Sequence, residues 1–302
     1  MPSRPPGSPG SSWPTVLDFL VVLTGDEPGL RRRIAAGEVV LADGTPVEEG
    51  TPYLPGGVVH LYRDLPTEVE VPGEIPVLLR DDECGLLVVD KPPFLATMPR
   101  GSHVAQTVVV RLRRELDLPD LTPVHRLDRL TSGVLLLTTR PEARSPYQRM
   151  VQAGGLDKTY EALAPVRPNL PLPTTVTNRI VKERGIPQAR VEEGDPNAIT
   201  RVELLGTLGS RGHYRLLPTT GRTHQLRVHL AGLGVPIAGD PLYPVVRDVD
   251  PTDLSTPLQL LSRAVTFRDP VNGRLRTVTS RRTLPIPGYA VPAGDADGPA
   301  SR

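Results

Sequence analysis

The 302-residue chain has a single cysteine, Cys84, so it can form neither an internal disulfide nor a metal site built from several thiolates. We interpret Cys84 as a small core residue. Aromatic residues make up only 4% of the sequence, which argues against a Phe- and Tyr-rich platform for stacking single-stranded bases. No apolar run reaches the roughly 18 residues of a membrane span, and the first residues lack the apolar segment of a signal peptide. These absences predict a cytoplasmic protein that does not enter the membrane.

The chain also lacks an excess of charge of either sign. Lys and Arg total 35 against 34 Asp and Glu, a formal net charge of +1. Whole-molecule charge therefore does not indicate a nucleic-acid partner. Arginines are nevertheless concentrated between Arg100 and Arg149, so any nucleic-acid site would have to be a local basic patch.

Changes of composition divide the chain into segments. We expect a disordered tail over residues 1–12, a small domain over 13–64, a linker rich in Pro, Glu and Val over 65–76, a main domain over 77–290, and a disordered tail over 291–302. In the small domain, the pattern predicts a helix over 16–23, a break at 25–29, a basic helix over 30–36 closed by Gly37, and strands at 39–41 and 58–62.

The main domain alternates strand and helix patterns. We predict a hairpin within 77–91, a helix over 104–116, a buried strand over 133–138, a helix over 143–152, strands over 156–163, 198–205 and 213–217, and a closing strand within 258–270. The Pro-rich stretch between the strands ending at 163 and beginning at 198 is interpreted as turns.

The most informative segment reads HRLDRLTSG and directly precedes the buried strand at 133–138. Binding and catalytic groups are often found on loops held by such a rigid scaffold. Asp128 lies between Arg126 and Arg129, and nearby cations favour the ionised form of a carboxyl group. Asp128 is therefore expected to be a permanent anion. By itself it could equally be a capping or ion-pair residue.

Two further segments carry polar side chains in a regular arrangement. In LDKTYEAL, the alternation of a strand places Lys158 and Tyr160 on one face, although a strand tyrosine is ordinarily a core residue. In GRTHQLRVH, His224 and His229 suggest a metal site, but their spacing does not place them together as an i, i+4 pair would. No carboxylate completes a ligand set there, so we predict no metal.

These segments resemble the motifs of the RluA-type pseudouridine synthases, which convert uridine in RNA to its C-glycoside isomer. HRLDRLTSG matches the HRLDxxTSG signature, LDKTYEAL contains the KxYxA element, and GRTHQLRVH matches GRTHQIRVH with Leu226 in place of Ile. VVDKPPF resembles the VVDKPPG segment, with Phe94 in place of glycine. Lys91 in that segment could contact RNA phosphate or pair with Asp90. Residues 13–64 resemble an S4-like RNA-binding domain.

The resemblance implies an α/β (α+β) fold with a large mixed, mainly antiparallel sheet and a central RNA cleft, preceded by a small S4-like domain. It implies that Asp128 is the nucleophile, that Tyr160 stacks on the target base and assists removal of the C5 proton, and that Arg227 forms a bidentate pair with the catalytic carboxylate. Whether Asp128 attacks the ribose or the base stays open. No cofactor is implied, because the isomerisation is not a redox reaction and no group leaves the RNA.

RNA contacts are expected from basic side chains around these motifs. The residues are His125, Arg126, Arg129, Lys158, Arg222, His224 and, in the small domain, Arg31, Arg32 and Arg33. The arginines from 31 to 33 could equally form a solvated helix surface. Arg126 is the residue expected to fill the space that a flipped-out base leaves, because a planar guanidinium stacks well.

We expect a monomer that acts on ribosomal RNA in preference to transfer RNA. The main alternative is a non-catalytic RNA-binding or ribosome-assembly protein that retains the synthase fold, and a chaperone-like role beside catalysis is also open. A glycoside hydrolase would require two carboxylates about 5 to 10 Å apart, and only Asp128 lies in a chemical motif.

Overall fold

The computed structural model describes residues 13–61, 68–101 and 103–288. The chain folds into two compact units, Met1–Pro66 and Thr67–Arg302. The predicted disordered tails, the end of the predicted strand at 58–62 and the first residues of the predicted linker lie outside the described residues.

The N-terminal unit contains two helices and a two-stranded antiparallel sheet. Its elements are α1 (Val16–Thr24), α2 (Glu27–Ala35), β1 (Val39–Leu41) and β2 (Val59–Leu61). Thr15 and Asp18 form a capping box at the start of α1. The break predicted at 25–29 is shorter than expected, because the Asp26 side chain accepts a hydrogen bond from Gly29 N at 2.9 Å and α2 already begins at Glu27.

The larger unit is built on one 11-stranded sheet. Its elements are β3 (Val77–Asp81), β4 (Leu86–Lys91), α3 (Val108–Glu115), β5 (Thr122–Pro123), β6 (Ser132–Thr138), α4 (Pro141–Gln152), β7 (Leu156–Pro165), β8 (Thr174–Val181), β9 (Arg190–Glu192), β10 (Ala198–Leu208), β11 (Arg211–Pro218), α5 (Gln225–Gly232), β12 (Leu260–Arg268) and β13 (Leu275–Thr279).

The strand order confirms the predicted large, mixed and mainly antiparallel sheet. The order is β3-β4-β6-β12-β7-β11-β10-β8-β9, with β13 paired to β12 and β5 paired to β6. Among these pairs only β12 and β6 run parallel. The strand that follows HRLDRLTSG (β6) and the strand that contains Tyr160 (β7) therefore lie on either side of β12 in the middle of the sheet.

Gly133 allows this central pairing. It has a φ of +107°, and a Cβ built at this position would lie 2.2 Å from the backbone oxygen of Ser262 on β12. Any other residue would force β6 and β12 apart. The glycine of the signature segment is thus required for the packing of the strand that follows the loop.

Four strands were not predicted from the sequence, and one of them is the two-residue β5, which pairs with β6. β8 and β9 lie in the Pro-rich stretch interpreted as turns, and β13 pairs with β12 near the end of the described chain. β8 pairs with β10, although Thr175 and Thr177 are exposed and, of its eight residues, only Ile180 is fully buried. Its Thr-rich sequence lacks the apolar run that identifies a buried strand, and the neighbouring prolines favoured a turn.

The predicted linker is packed against the larger unit from Glu68 onwards. The Glu68 carboxylate accepts hydrogen bonds from the backbone amides of residues 104, 105 and 106 at 2.7 to 2.9 Å. Val71 and Ile75 are buried in the main hydrophobic core. This segment is therefore part of the domain that contains the sheet.

The turn after β4 keeps a backbone conformation suited to glycine. Phe94 has a φ of +65°, in the left-handed region, and its side chain is buried in the main core. A non-glycine residue in this conformation is strained. The replacement of glycine by phenylalanine, noted in the sequence, therefore leaves the turn in its left-handed form and adds a buried ring.

Candidate active site

Side chains from all three chemical segments line one open cavity of about 960 Å³. This volume is within the range of sites that hold small ligands, and a single nucleoside would fit. The sequence-predicted residues that line it are His125, Arg126, Asp128, Lys158, Tyr160, Arg222, His224 and Arg227. Arg129 is half-buried and does not contribute to this lining.

The loop that carries Asp128 is fixed from below by buried polar groups. The Thr97 hydroxyl donates to Leu127 O at 2.8 Å and accepts from Leu127 N at 3.2 Å. Thr131 N donates to Asp128 O at 3.1 Å, which closes the turn. These bonds hold the backbone on both sides of Asp128 without using its carboxylate.

Lys91 provides a second support for this loop. Its side chain is fully buried, and its ammonium donates to the carbonyl oxygens of Pro92, Leu95 and Arg129 at 2.7 to 3.0 Å. Burial lowers the pKa of Lys91, while the charge of Asp128 opposes this change. Neither role considered from the sequence is correct: Lys91 cannot reach an RNA phosphate, and Asp90 bonds to Ser280 instead.

The Asp128 carboxylate is close to two basic groups but accepts a hydrogen bond from neither. Its Oδ2 lies 3.9 Å from Arg227 Nη1 and 4.0 Å from His224 Nε2. The side chain is 28% exposed toward the cavity. Within the described residues it accepts no direct hydrogen bond, so a ligand in the cavity can reach its oxygens.

Arg227 makes its bidentate pair with a different carboxylate from the one predicted. Its Nε and Nη2 donate to Asp240 Oδ2 and Oδ1, each at 2.7 Å, and both side chains are buried. The Tyr243 ring lies 5.2 Å from the guanidinium carbon, at cation–π distance. Asp128 therefore receives only the longer contact from Nη1, because the other edge of the guanidinium is occupied.

Asp240 and Tyr243 were not identified as functional residues from the sequence. They lie in the stretch Gly-Asp-Pro-Leu-Tyr, which reads as an ordinary turn. A buried ion pair between distant residues leaves no local periodic signal. The one available indication was the buried arginine of GRTHQLRVH itself, since a buried charge requires a partner.

His224 lies beside Tyr243 and Asp128, and its backbone is in a strained conformation. It has a φ of +59° at the N-cap of α5, and its Nδ1 lies 3.0 Å from the Tyr243 hydroxyl. Burial lowers the pKa of His224, although the Asp128 charge favours the protonated form. Its Nε2 faces Asp128 at 4.0 Å, and its predicted role as an RNA contact remains a prediction.

Tyr160 projects from β7 and is 8% exposed. Burial raises its pKa to about 12; a hydrogen bond with the Ser262 hydroxyl opposes the change and the charge of Asp128 adds to it. The phenol is therefore neutral near pH 7. Ser262, in the closing strand β12, was given no role from the sequence, and it lies directly opposite Tyr160 in the strand register.

His125 and Lys158 form one wall of the cavity. Burial and the charge of Lys158 lower the pKa of His125 to about 4, and His125 Nε2 accepts a hydrogen bond from Leu136 N at 3.2 Å. A neutral histidine engaged with backbone is poorly suited to bind phosphate. Lys158 is half-buried, and burial lowers its pKa. Its ammonium lies next to Gly221.

The remaining predicted RNA contacts differ in their availability. Arg126 is exposed at the cavity and, among the described residues, its side chain makes no hydrogen bond or ion pair. Arg222 is exposed, and its Nε donates to Asn197 O at 3.1 Å. In the N-terminal unit, Arg31 pairs with Glu27 and Glu49.

The other basic residues of α2 are also only partly available. Arg33 pairs with Glu38 at 3.1 Å, whereas Arg32 is exposed. Acidic neighbours thus neutralise part of the positive charge of this helix. The N-terminal arginines remain predicted RNA contacts.

Two further features concern metals and membranes. In the part of the chain that the structure describes, no group of three or more His, Cys, Asp or Glu side chains is placed to bind a metal ion. His229 instead contacts Asn178, with Nε2 3.0 Å from the amide oxygen. Among the described helices, none has the length and apolar character needed to cross a bilayer.

Comparison with known proteins places this site in a family. Residues 85–232 match the family described as RNA pseudouridylate synthase. An uncharacterized RNA pseudouridine synthase of Chloroflexus aurantiacus is 36% identical over 73% of this chain and 73% of its own length. The RNA pseudouridine synthase 7 of Oryza sativa is 34% identical over 57% of this chain. This chain spans 45% of that rice protein.

Two relatives have names that specify an RNA. Ribosomal large subunit pseudouridine synthase D of Pseudomonas aeruginosa is 28% identical over 67% of each chain. The mitochondrial tRNA pseudouridine(32) synthase of Saccharomyces cerevisiae is 30% identical over 70% of this chain and 46% of its own.

The fold agrees with these matches. The solved structure of human RNA pseudouridylate synthase domain containing 1 superimposes with a TM-score of 0.56 at 24% identity, and the alignment covers 70% of this chain and 86% of the human one. The central mixed sheet and the cavity lined by all three motifs therefore agree with the sequence matches. The chain belongs to the RNA pseudouridine synthase family, whose members are isomerases that convert uridine in RNA to pseudouridine.

Proposed function

We propose that Asp128 is the nucleophile of this isomerisation. The observation that supports it is the convergence of Asp128, Tyr160 and Arg227 on one cavity that can hold a nucleoside. Arg227 and His224 stand near the carboxylate without hydrogen-bonding it, so the anion is stabilised while its oxygens stay accessible. Carboxylates in such positions serve as nucleophiles in several enzyme classes.

The chemical balance of the reaction needs no external reactant. The bond between the ribose C1′ and uracil N1 breaks, the uracil turns, and C5 forms a new bond to C1′. The proton on C5 leaves and N1 gains a proton, so the isomer has the same composition as uridine. Attack by Asp128 on the ribose and attack on the base both satisfy this balance.

Tyr160 is proposed to position the base as a neutral phenol. Its raised pKa means that a phenolate is not populated at neutral pH, so it cannot take the C5 proton as a pre-formed anion. The ring, held on β7 beside Asp128, supplies an apolar face on which uracil can pack.

The cavity cations are proposed to hold the flipped nucleotide and its backbone. Flipping a base costs a few kcal/mol, which phosphate contacts offset. Lys158 and Arg222 line the cavity, and Arg126, which also lines it and is exposed, is proposed to fill the gap left in the RNA. His125, Arg129 and His224 are less suited to phosphate, because they support the loop or face Asp128.

The RNA class is proposed to be ribosomal RNA, acted on by a cytoplasmic monomer. Relatives named for ribosomal and for transfer RNA both match, so the preference rests on the S4-like pattern of residues 13–64 alone. That domain assignment, the catalytic domain over 77–290 and the RNA-binding role of Arg31, Arg32 and Arg33 remain predictions.

Release of tritium from C5-labelled uridine tests this function directly. Ribosomal and transfer RNA labelled at C5 would be offered separately to the full chain. We expect release from ribosomal RNA and little from transfer RNA. Release from transfer RNA alone would reverse the assigned RNA class, and release from neither by the folded protein would favour the non-catalytic RNA-binding alternative.

A further inference from the structure

Arg227 lies between two carboxylates but hydrogen-bonds only one of them. Asp240 receives two hydrogen bonds of 2.7 Å from the Nε and Nη2 edge. Asp128 receives only a 3.9 Å approach from Nη1. The asymmetry follows burial, since the Asp240 side chain is inaccessible whereas Asp128 is 28% exposed.

We propose that Asp240 is a positioning residue. It holds the Arg227 guanidinium so that the guanidinium stabilises the Asp128 carboxylate without forming a bidentate pair with it. The proposal rests on the assignment of Asp128 as nucleophile. A bidentate pair with arginine occupies both carboxylate oxygens and is among the strongest contacts a carboxylate makes. Were Asp128 the bidentate partner, the attacking oxygen would first have to break that pair.

The surroundings of Asp240 make it a rigid support. Its Oδ1 also accepts hydrogen bonds from Leu242 N at 2.8 Å and Tyr243 N at 3.2 Å. The Tyr243 ring covers one face of the guanidinium, and its hydroxyl accepts from Ala189 N at 2.6 Å. Arg227 is thus held at one edge and on one face, which leaves Nη1 directed at Asp128.

The electrostatics agree with this division. Burial by itself would lower the pKa of Arg227, but the hydrogen bonds and charge of Asp240, and then the charge of Asp128, raise it. The guanidinium therefore stays charged. Asp240 contributes more to the raised pKa of Arg227 than Asp128 does.

The chain offers a matched control. Arg276 is likewise shared by two carboxylates, donating from Nε to the buried Asp269 at 2.7 Å and pairing also with Asp81. This second group lies on β3, β13 and the turn after β12, and none of its members lines the catalytic cavity. Asp269→Asn therefore removes a comparable buried ion pair without touching the site.

The test compares Asp240→Asn with Asp269→Asn in the tritium-release assay with C5-labelled ribosomal and transfer RNA. We expect Asp240→Asn to lower kcat about 100-fold, as a misplaced catalytic group does, and to leave KM for RNA unchanged. Asp269→Asn should lower the melting temperature but not kcat. In an Arg227→Ala background, Asp240→Asn should cause no further loss, because Asp240 acts only through Arg227.

An equal loss of kcat in both asparagine variants, or an additive loss in the double variant, would overturn the proposal. A second readout needs no RNA: the side-chain Nε–H resonance of Arg227 in the ¹⁵N NMR spectrum should be protected from exchange in the wild type. It should lose that protection in Asp240→Asn and keep it in Asp269→Asn. An unchanged Arg227 resonance in Asp240→Asn overturns the proposal even if Asp128 proves not to be the nucleophile.

Should Asp240→Asn fail to fold, Arg227→Lys tests the same geometry. An ammonium keeps the charge but cannot bind Asp240 through two edges while directing a third group at Asp128. We expect it to lose activity as Asp240→Asn would. Full activity in Arg227→Lys would contradict the proposal.

Discussion

At the scale of single residues, the cavity keeps its ionisable groups in defined states. Burial raises the pKa of Tyr160 and lowers the pKa values of His125 and His224, which favours the neutral form of all three, while Arg227 is held charged by Asp240. Of the two carboxylates that Arg227 approaches, Asp128 is the one accessible from the cavity.

Tyr160 provides a direct check on these states. Because its pKa is raised to about 12, the phenol is neutral over the working range. Tyr160→Phe keeps the ring, so we expect it to lose less than the roughly 100-fold or more that removal of a general base costs. Its kcat should have the same pH profile as the wild type between pH 6 and 9.

Tyr160→Ala removes the ring as well and should cost more than Tyr160→Phe. If instead Tyr160→Phe were as inactive as Tyr160→Ala, with the dependence of kcat on pH abolished, the hydroxyl would be acting as the base. Steady-state kinetics of the two variants on one RNA separates these outcomes.

His229 should make the protein sensitive to acid. Burial lowers its pKa to about 4, from an ordinary value near 6.5, so the native state disfavours protonation. A depressed native pKa means that this stability is complete above pH 6.5 and is lost as the pH falls toward 4. The shift corresponds to about 3 kcal/mol of unfolding free energy.

Urea denaturation at pH 7 and pH 4.5 measures this contribution. His229→Gln removes the titrating group, so the difference in unfolding free energy between the two pH values should shrink. The exposed His60, replaced by Gln, serves as the control and should leave the difference unchanged. An unaltered difference in His229→Gln would contradict the assigned cause.

The sequence predicted roles for Asp128, Tyr160 and Arg227 because each lies in a motif with recognisable neighbours, and the structure brings all three to one cavity. The sequence did not identify the partner of Arg227, since Asp240 is separated from it along the chain and lies in a turn. It also left Lys91 between two roles, and the structure shows a third, because only the fold reveals that three carbonyls surround its ammonium.

At the scale of secondary-structure elements, the loop between β11 and α5 depends on one buried amide. Gln225 accepts hydrogen bonds from Thr220 Oγ1 at 2.9 Å and Arg222 N at 3.0 Å. It donates to Ile199 O at 3.0 Å and Thr200 Oγ1 at 2.9 Å. The amide thus connects the loop that carries Arg222 to the first residues of β10.

Gln225→Glu should release this loop. The substitution is nearly isosteric, but a carboxylate can donate to neither Ile199 O nor Thr200 Oγ1, and losing these two buried hydrogen bonds costs about 1 to 3 kcal/mol. We expect a lower melting temperature and a raised KM for RNA, because Arg222 loses its fixed position. Calorimetry and steady-state kinetics would measure the two effects.

Gln259→Glu is the matched control. Gln259 is also a buried amide that donates to two carbonyls, those of Pro257 and Ile286, but it does not line the cavity. It should lose stability without a change of KM. A raised KM in both variants would mean that general destabilisation, rather than the loop, weakens RNA binding.

Elements with strong periodicity were predicted, and those without it were not. β6 and β7 are apolar or alternate clearly, whereas β8 is partly exposed and is flanked by prolines. β9 and β13 are short strands, and each forms by pairing with a longer neighbour. β9 pairs with β8, and β13 pairs with β12. Local sequence does not contain that information.

At the scale of the whole molecule, the two units have separate hydrophobic cores. One buried cluster contains only residues of the N-terminal unit, among them Val16, Leu20 and Leu30. The other clusters of the described chain draw only on residues from Val71 onwards. Among the described residues, the apolar clusters that include cavity residues therefore belong to the larger unit.

A chain of residues 67–302 should consequently fold and retain the reaction. We expect a single cooperative thermal transition and an unchanged kcat in the tritium-release assay, with any loss confined to KM for RNA. Calorimetry and kinetics of this variant, beside the full chain, provide the measurement. Aggregation, or a loss of kcat, would show that the N-terminal unit completes the catalytic domain.

The sequence predicted the class of fold of the larger unit through its resemblance to a family. It could not predict the strand order, because the placement of β12 between β6 and β7 depends on residues far apart in the chain. Gly133 shows why: its requirement for close approach is visible only once Ser262 lies against it.

The most direct measurement of the central claim is single-turnover release of C5 tritium by Asp128→Asn. The substitution preserves shape and removes the charge, and loss of a nucleophile typically costs at least about 10,000-fold in rate. Asp120→Asn, at an exposed carboxylate paired with Arg144, is the control and should behave as the wild type. A rate for Asp128→Asn comparable to that of the control would contradict the assignment of Asp128 as the nucleophile.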